Sequence, residues 1–190
     1  MIYPATYDIV VLQNATWKNQ FRATEDQKQT TINISGSTFT TSCHGFSNGQ
    51  KVVFAGGALP CGMSDNTVYY VIASGLTNDS FKVAASSGGT SLALHGTASG
   101  THYVSTPINL SGYTVDSDIR GLIDNQYVGT FSPSLIDAAN GLFQIELSPA
   151  TTSGFEAGQF GYDVSLTSSG GERYYWLTGR MTVQATYSRT

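Results

Sequence analysis

The chain has 190 residues, is 40% hydrophobic but only 12% charged, and carries a net charge of -4, against about 25% charged residues in a typical soluble domain. Its 22 Ser, 23 Thr and 21 Gly leave too few helix formers and charged outer faces for coiled coils, helical bundles or doubly wound α/β folds. Ser, Thr, Gly, Tyr and Val at this density suit short strands and tight turns, so the expected fold class is all-β.

Strand signals start early. Residues 8–12 and 16–23 are β-rich runs separated by the turn-prone Gln13, Asn14 and Ala15. A polar stretch, TEDQKQT at 24–30, follows. Between 31 and 104 the only charged residues are Lys51, Asp65, Asp79 and Lys82. This part reads as five strands, 37–41, 51–55, 67–73, 80–84 and 91–94, cut by Gly56-Gly57, Pro60 and the 86–89 Ser-Ser-Gly-Gly turn. Asn48-Gly49 suits a type I′ turn, which needs positive φ at both central residues.

After Ser105 the charge returns. In 113–120 the residues Tyr113, Val115, Ser117 and Ile119 share one face, and Thr114, Asp116, Asp118 and Arg120 share the other. That is a strand with one side on a core and one in water. Residues 142–147 alternate in the same way. Ser148-Pro149-Ala150-Thr151-Thr152 predicts an N-cap, a proline at N1 and one helical turn. Strands at 159–166 and 174–187 follow, joined by Ser168-Ser169-Gly170-Gly171. The uneven charge predicts a discontinuous outer domain, 1–30 with 105–190, carrying a small β-barrel, 31–104, inserted at a hairpin tip, where few buried contacts are interrupted.

Two resemblances sharpen this. Tyr7-Asp8-Ile9-Val10 with Asn14-Ala15-Thr16-Trp17 as a first hairpin, then 107–114 (PINLSGYT) leading to Ile119-Arg120, 148–152, Gly161-Tyr162-Asp163-Val164 and 175–179 (YWLTG) resemble small immunoglobulin-like modules of tailed-bacteriophage structural proteins. The family includes N-terminal domains of upper-baseplate proteins and other tail or neck components. It implies that the 109–114 segment starts a core strand, with Tyr162-Asp163-Val164 packing across from it. The inserted part, from Phe39 through 43–50 (CHGFSNGQ), Val52-Val53-Phe54, Leu59-Pro60, 67–72 (TVYYVI) and 80–83 (SFKV), is similar to a second phage-associated module. That module is often likened to the first catalytic-cysteine half-domain of ubiquitin-activating enzymes. Only the barrel shape carries over, because no glycine-rich loop with a phosphate-binding lysine accompanies it.

Cys43, His44, Cys61, His95 and His102 lack the close spacing of zinc ligands, so no metal or cofactor is expected. The two cysteines read as buried or half-buried free thiols, with a Cys43–Cys61 disulfide as the less favoured alternative. Asp116 and Asp118 form the one carboxylate pair to nominate for glycoside chemistry, but their face is an ordinary solvated one. No catalytic residue is expected and the protein reads as a non-enzyme. The aromatics Tyr69, Tyr174, Tyr175 and Trp176 are the candidate interaction surface, since outward Tyr buries area at low entropic cost. Met181, Val183 and Tyr187 join them, because the last strand, 181–187, is the nominated edge for β-augmentation between copies.

Nine basic residues spread along the chain make no nucleic-acid patch. No apolar run approaches the roughly 20 residues of a membrane-spanning helix, and the first twenty residues do not read as a secretory signal. The expected role is therefore structural: a tail, neck or baseplate component made in the host cytoplasm and incorporated in the virion, contacting other virion proteins and copies of itself. Capsid decoration and a carbohydrate-binding adhesin or tail-fibre domain touching host glycan are the alternatives.

Overall fold

The computed structural model describes residues 4–25 and 27–186. The chain divides into two compact units, with breaks at Ala23/Thr24 and Ile108/Asn109.

The outer unit begins with β1 (Ala5–Thr6), β2 (Ile9–Leu12) and β3 (Trp17–Arg22). In β2, Ile9 and Val11 are buried while Val10 and Leu12 face out, the period of two that pleating imposes. The two runs do not form a hairpin. β2 pairs in parallel with the last strand of the unit, whereas β3 pairs in the opposite sheet. Asn14, at φ 59, turns the chain from one layer to the other, since a short Asn tolerates the left-handed region.

The inner unit holds β4 (Lys28–Asn33), β5 (Thr38–Thr40), β6 (Lys51–Ala55), β7 (Val68–Ile72), β8 (Ser80–Ala84) and β9 (His102–Ser105). They close into a barrel in the order β4-β5-β8-β7-β6-β9. Closure removes the free edges that short strands would otherwise present. The interior is aromatic: the Phe39 ring lies 4.5 Å from Phe54 and 5.4 Å from Phe81, with Val52, Val71, Val83, Leu94 and Val104 around them. The barrel takes in the polar stretch that the sequence assigned to the outer domain. Lys28, Gln29 and Thr30 pair with Val104, Tyr103 and His102, so β4 and β9 together complete the wall. Residues 91–94 form no strand. Leu94 instead plugs the interior, and its N–H donates to Ser37 Oγ at 3.0 Å. At the Ser47–Gln50 turn the Gln50 N–H reaches the Ser47 carbonyl at 3.1 Å. Of its central pair only Gly49 has positive φ, at 81, the mark of a type II turn rather than type I′.

The outer unit resumes with β10 (Thr114–Gly121), β11 (Tyr127–Gly129), β12 (Ser132–Asp137), a 3-10 turn (Ala138–Asn140), β13 (Leu142–Leu147), α1 (Pro149–Ser153), β14 (Gly158–Thr167) and β15 (Arg173–Gln184). Six strands form one sheet in the order β1-β15-β14-β10-β11, with β2 also on β15; β12-β13-β3 form the other. Aromatic contacts tie the layers together: Phe131 meets Trp17 at 5.7 Å and Tyr162 at 5.4 Å, and Tyr7 meets Phe21 edge-on at 5.2 Å. The result is an all-β molecule, a two-sheet sandwich interrupted by a small barrel. The insertion lies between β3 and β10, which belong to different sheets, so it occupies a crossover and not a hairpin tip. Likewise β14, carrying Tyr162-Asp163-Val164, is hydrogen-bonded beside β10 in the same sheet instead of packing across from it.

Ser148 caps α1, its Oγ accepting the Thr151 N–H at 3.1 Å, with Pro149 at the first helical position. Ser148→Ala is expected to lower stability by about 1 kcal/mol, read from the shift of the urea midpoint.

Candidate functional site

The nominated residues separate sharply once the strands are in register. Tyr69 is only 3% exposed; its ring packs at 6.0 Å from Phe54 and its hydroxyl accepts the Ser64 N–H at 2.8 Å. It is a barrel-core residue. Met181 and Val183 are also buried, in phase with Leu177 on the inner face of β15. Nor is β15 an edge: β14 pairs along one side and β1 and β2 along the other. From 181 to 183 the strand is already paired on both sides. Tyr187 lies outside the described residues.

Tyr174, Tyr175 and Trp176 remain near the surface, at the start of β15. The Tyr174 hydroxyl donates to Glu172 Oε2 at 2.9 Å, and this bond holds its proton above the usual tyrosine range. Tyr175 is exposed, with the Arg173 guanidinium 5.5 Å from its ring centroid. Arg173 is itself anchored, Nε to Ser165 Oγ at 2.8 Å.

The cysteine and histidine set is scattered. Cys43 and Cys61 are both free and exposed, which corrects the expectation of buried thiols. Cys43 sits at φ 47 with its N–H bound to Asp79 Oδ1, so its side chain projects outward while His44 turns in. The His44 Nδ1 accepts the Phe46 N–H at 2.9 Å, leaving Nε2 to face the Ser80 carbonyl at 3.4 Å. His102 is buried against the Gly56 carbonyl, and His95 is exposed on the bridge that pairs it with Cys61. Among the described residues no group of three or more His, Cys, Asp or Glu could hold a metal ion. Both thiols are expected to react with a disulfide reagent in the native protein without denaturant, two per chain, as read by thiol titration.

A groove of about 640 Å³ lies on the outer face of the six-stranded sheet, lined by Asp8, Asp118, Arg120, Gly161, Asp163 and Arg180 among others. Register explains it. One row across the strands reads Asp118, Asp163, Thr178 and Thr6; the next reads Arg120, Gly161 and Arg180. Gly161 carries no side chain between the two arginines, and the groove deepens there. Arg120 Nη2 donates to Asp118 Oδ2 at 2.8 Å, and the guanidinium lies 5.9 Å from the Tyr127 ring. Burial pushes the Asp163 carboxyl up, Asp118 adds to that, and Arg173 and Arg120 pull it back. Among the described residues the side chains of Asp163 and Arg180 form no ion pair. Sequence reasoning paired Asp118 with Asp116 along one strand; the closer electrostatic partner is Asp163 on the neighbouring strand, visible only through register.

Behind the groove, on the inner face of β14, Tyr162 is buried and its hydroxyl donates to the Tyr7 carbonyl. Burial, more than the nearby Asp8 and Tyr7, pushes this phenol up to about 12, against about 10 for a free tyrosine. The native state then binds more protons than the unfolded chain between these values. Its contribution to stability is full below about pH 10 and lost as pH rises through 12. A spectrophotometric titration is expected to show a step near pH 12 that belongs to Tyr162, and Tyr162→Phe should remove that step.

A second exposed feature borders the groove. The β10–β11 turn carries Leu122 and Ile123, the latter fully exposed, and β11 carries the exposed Tyr127 and Val128 on the free side of the sheet. The turn itself is ordered by the Gly121 N–H to Gln126 carbonyl bond at 2.9 Å and by Asp124 Oδ1 accepting the Gln126 N–H at 3.1 Å.

No family model matches the chain, and no curated protein is similar to it. Among solved structures it is similar to AggA, the major subunit of aggregative adherence fimbriae type I from Escherichia coli, at 13% identity, covering 86% of this chain and 99% of that one, with a TM-score of 0.16. A likeness that low carries no argument about fold or function.

Proposed function

We propose that this protein is a structural component of a tailed-phage virion, in the tail, neck or baseplate, and that it works by protein–protein docking without a chemical step. The observation that carries the docking part is the group Leu122, Ile123, Tyr127 and Val128, four apolar side chains left in water together at the open side of the six-stranded sheet. Scattered exposed apolar residues are ordinary, but four on one turn and the edge strand it leads into are what an interface looks like before its partner arrives. The phage assignment rests on the sequence resemblance of the outer and inserted segments.

A sugar-binding role has less support on this surface. The groove offers carboxylates and guanidiniums, and the exposed Tyr127 ring beside it is already engaged by the Arg120 guanidinium at 5.9 Å. A glycan-array screen is expected to give no binding. Mass spectrometry of purified virions is expected to find the protein in stoichiometric amount, and its absence from particles would overturn the proposal. Ile123→Asp should leave folding stability within about 0.5 kcal/mol while lowering incorporation into particles roughly 10-fold, as quantified on the same virions.

A further inference from the structure

We infer that the outer face of the six-stranded sheet is a self-complementary surface, through which two copies of this chain associate about a two-fold axis. The inference rests on the docking reading above and names the surface and the occupant. The two rows that cross the sheet have opposite character: Asp118 and Asp163 in one, Arg120 and Arg180 flanking Gly161 in the next. Consider a second copy turned about an axis that lies over the face, parallel to these rows and midway between them. Each strand then lies over its own counterpart, and the acidic row of each copy lies over the basic row of the other.

The consequence at the centre is specific. Asp163 and Gly161 lie two residues apart on the same strand and the same face, so the Asp163 of one copy is directed at the Gly161 of the other. There it enters the gap that the missing side chain leaves between Arg120 and Arg180. An ideal Cβ on Gly161 would have Leu122 Cδ2 at 3.4 Å as its nearest neighbour, ordinary contact, so the position is not glycine for want of space within the chain. Among the described residues the carboxylate entering this gap forms no ion pair within its own chain, and neither does the Arg180 guanidinium that receives it. Arg120, with five N–H donors, can hold its own Asp118 and take a second carboxylate. Asp8 sits on the rim, its Oδ1 already accepting the Arg180 N–H at 2.8 Å. Two such contacts form at once, because the operator is its own inverse and the interface is isologous. The exposed Val10 lies on the same face, in register with Thr182, and adds apolar area beside the charges. Aligned packing of two sheets face to face is an ordinary geometry.

The test is sedimentation equilibrium of the full chain and of two charge reversals, with circular dichroism to establish that each variant is folded. The wild type is expected to dimerise at low ionic strength and to weaken as salt is raised, since exposed charge pairs are screened over about 10 Å at 0.1 M salt and 3 Å at 1 M. Asp163→Arg and Arg180→Asp should each weaken self-association roughly 100-fold. An equimolar mixture of the two variants should associate again, because the reversed charges then meet each other at one contact and the native pair survives at the other. A wild type that stays monomeric at its highest soluble concentration would overturn the inference. So would charge-reversed variants that dimerise like the wild type, or folded variants whose mixture stays monomeric. A monomer found in purified virions would sink this inference alone, and a dimer absent from virions would sink only the virion proposal.

Discussion

Phe81→Ala should cost the barrel about 3–5 kcal/mol, the usual range for deleting a fully buried phenylalanine ring. Phe81 is completely buried on β8, and its ring is the one that the others share. Phe39 lies at 5.4 Å and Phe54 at 6.4 Å, both stacked, while Phe46 at 5.2 Å and His44 at 5.1 Å meet it edge-on. Removing it leaves a void lined by four rings, of which Phe39 and Phe54 are fixed on barrel strands and cannot collapse into the gap. Native-state hydrogen exchange should show the loss as reduced protection of the amides of β5, β7 and β8. Tyr175→Ala provides the contrast. That exposed side chain touches Arg173 and little else, so its loss should change stability by no more than about 0.5 kcal/mol. An equal effect of both substitutions would show that the barrel interior is not packed as described.

Gly179→Ala is the second large effect, and its cause is the reverse: an atom too many. A Cβ at position 179 would fall on the Tyr7 carbonyl and lie 3.0 Å from the Tyr162 ring. That carbonyl already accepts the Tyr162 hydroxyl, and the adjoining Tyr7 N–H donates to the Thr178 carbonyl at 2.9 Å. Backbone meets backbone here, so no rotamer change can relieve the overlap. Either β1 leaves β15 or the strand bends away from β14. The expected cost is about 3 kcal/mol, the upper part of the overpacking range. It should appear as a lower urea midpoint and as earlier ionisation of Tyr162, whose cover would be lifted.

Much of the strand set could be read from residue pattern. β6 falls on its apolar run, β8 and β13 fall where the alternation of apolar residues places them, and α1 begins at its capping serine. The strands that escaped are the short ones, β9 (HYVS) and β11 (YVG), and the polar ones. β4 (KQTTIN) sends only Thr30 fully inside, where its hydroxyl donates to the Thr40 carbonyl at 3.3 Å, so no apolar alternation announces it. β12 (SPSLID) carries a proline and a register shift beside Leu135, features that suit an exposed edge and hide a strand from pattern reading. Among the candidate surface residues, strand phase separates buried from exposed. Tyr69 is two residues from Val71, and Met181 and Val183 are in step with Leu177, so a face buried at one position is buried at the others. The groove could not have been found in this way. Arg120, Gly161 and Arg180 come together only through the pairing of three strands, and one residue of slip would send each of them to the core.

The position of β15 has a bearing on how the chain is made. Its Met181 to Gln184 pair with Ile9 to Leu12, so the sandwich cannot be completed until the last strand has left the ribosome. The barrel needs nothing beyond Ser105, because its first strand, Lys28–Asn33, closes on its last, His102–Ser105. Synthesis therefore delivers a finished inner unit while β2 waits, its apolar Ile9 and Val11 exposed, for a partner that emerges last. Long-range pairing of this kind is slow and leaves strand edges open to the wrong neighbours. A short first strand, split between β1 and β2 and flanked by Asp8, keeps that waiting edge small.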